Sequence, residues 1–175
     1  MNIDFSNIKY GVILALIAIL FGGSLGLSFG CCEHSLKDYL KHEAASALAT
    51  KYEGNQAKAD KVAKKSWVYY KRAHLHSQTM GVIAIAFSLI VAGLGLAPKM
   101  QMGVSILSGL GSLGYGIFWL LAGALAPGMG STGAAKEAVG LIAQVSGASF
   151  FISGVAVFGF VAYKLILSPS KQAES

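Results

Sequence analysis

Four stretches of this chain run for 19 or more residues without a single Asp, Glu, Lys or Arg, covering about 10–30, 77–97, 100–126 and 138–163. A hydrocarbon layer about 30 Å thick is crossed by about 20 helical residues, so each stretch is long enough to span it. At that depth only helices and closed barrels satisfy the backbone polar groups internally. A barrel needs alternating strands of about ten residues, whereas these runs are far longer and do not alternate. The expected fold class is all-α: an integral membrane four-helix antiparallel bundle, one domain over 1–175. A basic extramembrane helical hairpin at about 31–76 is expected between the first and second helices. The apolar run of the first span exceeds the usual 7 to 15 residues of a signal peptide, so it is read as a retained helix.

Charge is distributed unevenly along the sequence. Residues 31–73 hold nine Lys/Arg against five acids. With four spans, this connection and the one at Lys136 share a side and carry ten of the fourteen basic residues, leaving Lys9, Lys99, Lys164 and Lys171 for the other. The positive-inside bias then predicts a cell-membrane protein with 31–73 cytoplasmic and both termini outside. The same basic patch can meet anionic lipid headgroups. Nucleic acid is disfavoured as a partner, because the charge lies between spans and the neighbouring Trp67, Tyr69 and Tyr70 suit interfacial anchoring.

Within the connection, Leu36, Leu40, Ala44, Ala47 and Leu48 recur at steps of three and four, or close to them, which predicts an amphipathic helix. Gly54 and Asn55 can adopt positive φ and permit reversal, and 55–72 is rich in helix formers without proline. Two arrangements follow, an upright hairpin that continues both spans outward, and a helix at 34–52 lying flat on the membrane; the tight-turn signal favours the hairpin. Pro98 marks a sharp link between spans two and three. The glycine-rich 127–133 precedes the fourth, with Ser131 or Thr132 as its cap. Glycines crowd the spans, with a GxxxGxxxG ridge at Gly22, Gly26 and Gly30, a cluster at Gly109, Gly111, Gly114 and Gly116, and a small-xxx-small step at Ser149 and Ser153. Such residues let helices approach closely in lipid, either inside one bundle or across a dimer.

All four histidines fall on the lysine-rich side. A hairpin reversing at Gly54 places His34 level with His74, and Cys32 level with His76. Cys31, Cys32, His34, His74 and His76 are therefore candidate ligands for Zn, Cu or Fe, with His34 and His74 as candidate axial ligands of haem b. His74 and His76 are two residues apart, about 200° round a helix, so only one can face His34. The plain alternative makes these side chains headgroup-zone anchors and the cysteines small fillers. Adjacent cysteines give no expectation of a structural disulfide. His34, Asp38 and His42 follow one another by four on a single stripe and, with Glu137, offer a mixed nitrogen and oxygen set; solvated pairing explains the stripe more simply. Met100 and Met102 suit packing better than copper.

No span carries an ionisable residue at mid-depth, which disfavours ion or proton transport. Nor is there a nucleophile and base in a recognisable hydrolytic motif. Two functions remain. One is a structural or assembly subunit that packs through its glycine-rich helices and presents the basic hairpin to a partner, within a homo-oligomer or larger membrane complex. The other is a metal- or haem-binding electron-transfer component using the histidines at the hairpin base.

Overall fold

The structure, a computed structural model, describes residues 4–167, so Lys171 lies outside the described residues. These form α1 (Lys9–Ser46), α2 (Leu48–Lys51), α3 (Gln56–Gly93), α4 (Pro98–Met129), α5 (Thr132–Ala138) and α6 (Gly140–Ala162), with a π-helical turn at Tyr163–Leu167 and no strand among the described residues. Four helices are long and apolar enough to cross a membrane: α1, α3, α4 and the stretch Gly140–Ile166.

At 38 residues each, α1 and α3 are about 57 Å long, nearly twice the hydrocarbon thickness. Each rod holds a charge-free run and a charged arm in one helix. In α1 the junction is a kink at Cys32 (φ −134°, ψ 23°), one residue before Glu33. The reversal between the arms uses Glu53 (φ 55°) and Gly54 (φ 72°). The expectation that Asn55 would join Gly54 at positive φ is corrected: Asn55 stays extended because its side chain caps α3, accepting the Lys58 N–H at 3.0 Å.

At the link before α4, Gly95 takes φ 62° and Pro98 occupies the first turn of the helix. α4 runs past the expected boundary at 126, through Pro127 to Met129, and closes on Gly130 at φ 73°. Proline in the last turn removes one hydrogen bond without breaking the rod, and its carbonyl accepts the Tyr52 hydroxyl at 2.7 Å. Ser131 then caps α5, accepting from the N–H groups of Gly133 and Ala134 at 3.1 and 3.3 Å. The fourth helix, expected to run on from a cap at Ser131 or Thr132, is divided at Val139 (φ −110°, ψ 14°), which ends α5, and α6 then covers almost all of the span expected over 138–163.

Neighbouring helices run in opposite senses. Along α3 and α4, Ser88 meets Ser105, Ser77 meets Gly116 and Tyr70 meets Gly123. Along α1 and α3, Ile19 lies against Gly81, while Gly22 and Gly26 lie against His74. α6 rests on α4 through Ser146 and Phe150 at Gly111. The seams are made of small residues: Gly11, Ala15, Ala18 and Gly22 in α1, and Ala73, Ser77, Gly81, Ala84 and Ser88 in α3, all buried at steps of three and four. Small side chains let the backbones approach closely enough for dispersion to hold helices together without a hydrophobic driving force. Their hydroxyls are satisfied within the turn below, as in Ser77 to the Ala73 carbonyl at 2.7 Å, or across helices, as in Ser105 to the Ile8 carbonyl at 2.9 Å.

Candidate functional site

The lysine-rich end is built by three rods. Leu40, Ala44 and Ala47 of the α1 arm pack on Ala59, Ala63 and Tyr70 of the α3 arm, with Tyr52 of the turn beneath them. The last turns of α4 complete the assembly, since Leu120 and Ala124 join this core, Gly123 lies under Tyr70, and Tyr52 is tied to Pro127. Burial pushes the Tyr52 and Tyr70 phenols above their ordinary value, so both are neutral donors at physiological pH.

Where the charge-free runs of α1 and α3 end, aromatic rings gather. Phe29 meets Trp67 edge-on at 4.9 Å, Tyr69 meets Trp119 at 4.9 Å, and the Arg72 guanidinium lies 4.7 Å from the Trp119 ring centre. Cation and ring at one height are the arrangement expected where a helix leaves hydrocarbon for water. The indole N–H of Trp119 is buried and has no hydrogen-bond partner among the described residues.

Among the described residues the structure does not bring three or more of the five candidate ligands together. The shared height proposed for His34 and His74 is corrected by the register of the arms: the chain turns at Glu53 and Gly54, but α1 stops at Ser46 and α3 starts at Gln56, so the pairing of the arms centres near Lys51. That shift slides the arms by about one and a half turns and brings Phe29, not His34, to His74, with ring centres 5.8 Å apart. His74 Nδ1 instead lies 2.7 Å from the Gly22 carbonyl, with its ring over Gly26, where a Cβ would come within 2.6 Å. His76 faces away from α1 as its spacing predicts, stacked on Trp119 at 6.1 Å and edge-on to Tyr115 at 5.2 Å.

His34, Cys31 and Cys32 are exposed, and both cysteines are free thiols. A hydrogen bond shared with the Cys31 thiol, then desolvation, pushes the Cys32 thiol above its ordinary value. His42 and Glu137 are exposed, and Asp38 pairs with Lys41 at 3.4 Å. Among the described residues no group of three or more His, Cys, Asp or Glu converges, which leaves the metal and haem reading without structural support. Met100 and Met102 are exposed on the far end.

Two features escaped the sequence reading. One is the α3 stripe from Ala73 to Ser88, which small residues at steps of three and four would have revealed. The other is the tie between Tyr52 and Pro127, 75 residues apart, for which no local signal exists. In comparisons with known proteins, no family model, no curated protein and no solved structure matches the chain.

Proposed function

We propose that this chain is a multi-pass membrane protein acting as a structural or assembly subunit, an antiparallel four-helix bundle that holds a basic helical hairpin out to a partner within a homo-oligomer or larger membrane complex. The observation that carries the reading is the anchoring of the charged arms. They are continuous with two apolar rods and are held by a third, through Tyr52 on Pro127 and Tyr70 on Gly123. A surface fixed this way presents Lys58, Lys61 and Lys65 in a constant geometry, and all three are exposed. The spans supply support without visible chemistry: their seams are Gly, Ala and Ser in near-backbone contact, and no acid or base lies between Lys99 and Lys136. On the positive-inside bias the hairpin faces the cytoplasm and both termini lie outside. The outward face of α6, with Leu141, Phe151 and Phe158 more than two-thirds exposed, suits lipid or a neighbouring subunit.

The test is photo-crosslinking from Lys58 or Lys61 in intact membranes. The proposal expects one discrete adduct from these positions and none from Met102 at the far end. Diffuse or absent adducts from every hairpin position, with the chain migrating as a lone monomer in mild detergent, contradict it.

A further inference from the structure

We propose that the groove between the two charged arms is a binding site for the headgroup of an anionic phospholipid. The inference rests on the membrane reading and goes beyond it by naming a site and a ligand class. The groove is a cavity of about 420 Å³ with an apolar floor of Leu40, Ala63 and Trp67 and a rim of Lys37, Lys41 and Lys64. Asp60 is the single acid in its lining, and its carboxylate is already engaged by the Gln56 amide at 2.8 Å. Lys37 reaches over the Trp67 ring at 5.3 Å and also pairs with Glu33, and Lys41 pairs with Asp38 at 3.4 Å on an exposed surface. Lys71 is close enough to Glu33 to help hold its carboxyl below the ordinary range, after Lys37, which contributes most. Glu33 and Asp38 offset two of the rim lysines, so with Lys71 counted the groove and its immediate neighbours carry four positive charges against three negative ones, and Lys64 is the rim lysine without an acid partner among the described residues.

Position selects the occupant. Glu33 is the first charged residue after the apolar run of α1, and Lys37 lies about 10 Å along the rod from the end of that run at Gly30. Headgroups occupy a layer of about 5–8 Å outside the hydrocarbon, so the lower rim of the groove stands at its outer edge, within reach of a lysine side chain. Trp67 and Phe29, in contact at 4.9 Å, form the wall just below, where an acyl chain would enter. A phosphate oxygen can then accept from Lys37, Lys41 and Lys64 together while the glycerol and upper chain cover Trp67. A soluble acidic peptide would match the charge but would leave the lipid-level wall unused.

The full chain is reconstituted in nanodiscs of phosphatidylcholine containing a small fraction of phosphatidylglycerol, and co-purifying lipid is counted by native mass spectrometry. Wild type is compared with K37Q/K41Q/K64Q and with K58Q/K61Q/K65Q, which removes the same charge from outside the groove. The groove variant is expected to retain about tenfold less phosphatidylglycerol, on the basis of roughly fivefold per lysine near a surface less the offset from the neighbouring acids. The outer variant should stay within about twofold of wild type. Equal losses in both variants, or equal retention of the two lipids by wild type, overturn the site. So does displacement of the bound lipid by a soluble Glu-rich peptide, which would give the groove to a protein partner. Flotation of all three proteins with plain phosphatidylcholine vesicles is scored in parallel: failure there sinks the membrane reading, whereas flotation without lipid selectivity sinks only the site.

Discussion

Replacing Gly11 by Ala should weaken the bundle, while the same change at Gly30 should not. A Cβ on Gly11 would lie 2.2 Å from the backbone carbon and oxygen of Ser105 and 2.0 Å from its hydroxyl, where ordinary contact begins at 3.4 Å. Those are backbone atoms and cannot rotate aside, so α1 and α4 must part by roughly an ångström, a gap that forfeits about a quarter to a half of each dispersion contact along the seam. Overpacking of this kind costs about 1–3 kcal/mol, and stretching the bond from Ser105 to the Ile8 carbonyl adds about 0.6 kcal/mol, the average for such bonds in membranes. The helix preference of Ala over Gly returns about 0.8–1 kcal/mol. The net expectation for Gly11→Ala is a loss of about 2 kcal/mol. At Gly30 an added Cβ meets nothing within 4 Å, so only the propensity gain remains. The two variants should differ by about 3 kcal/mol, more than a hundredfold in the ratio of folded to unfolded protein. Equilibrium unfolding in mixed micelles, followed by circular dichroism, measures the difference. Equal stabilities, or Gly11→Ala above Gly30→Ala, would refute the close-packed seam.

Tyr52→Phe should cost about 1 kcal/mol by removing the donor to Pro127, readable in the same unfolding assay. The phenol is raised above its ordinary value of 10.0 in the folded state, so its contribution is fully present below pH 10 and disappears as pH climbs through the raised value; the gap between wild type and Tyr52→Phe should be flat at neutral pH and close only under alkaline conditions. A membrane-impermeant maleimide should leave Cys31 and Cys32 unmodified in intact cells and label them after permeabilisation, since both thiols are exposed and the arms are assigned to the cytoplasm; rapid labelling from outside reverses that assignment. Ser131→Ala should destabilise by about 1 kcal/mol through loss of the α5 cap, visible as a lower thermal midpoint, and Ser131→Asn should restore it.

Much of the fold was legible because helices long and apolar enough to cross a membrane leave a simple mark on composition. Charge-free runs located the four long apolar helices, Pro98 and Ser131 marked the starts of α4 and α5, and the glycines announced the seams. Gly22 and Gly26 are used inside the chain against His74, while Gly30 is left open. Register was harder. The reversal was assigned to Gly54 on turn chemistry, but α1 ends eight residues earlier, where Ala47 leaves helical geometry and α2 begins. No residue type announces that break. Its consequence is large, because a hairpin doubles any error in its centre, here into the five residues that separate His34 from Phe29. Phe29 took the place meant for His34, and with it went the convergence of histidines. The opposite facing of His74 and His76 survived, since it depends only on helical periodicity. The third rod was also hidden: nothing in 120–129 says that an apolar stretch will continue past the level where the charge-free runs of α1 and α3 end and pack against their charged arms.

The central claim is that lipid surrounds the four apolar rods, and an alkaline carbonate wash followed by flotation of the expressed full chain tests it most directly. The chain should resist the wash and rise with the vesicles, whether or not the hairpin lysines are neutralised. Recovery of a folded, monodisperse monomer from the detergent-free supernatant would contradict it.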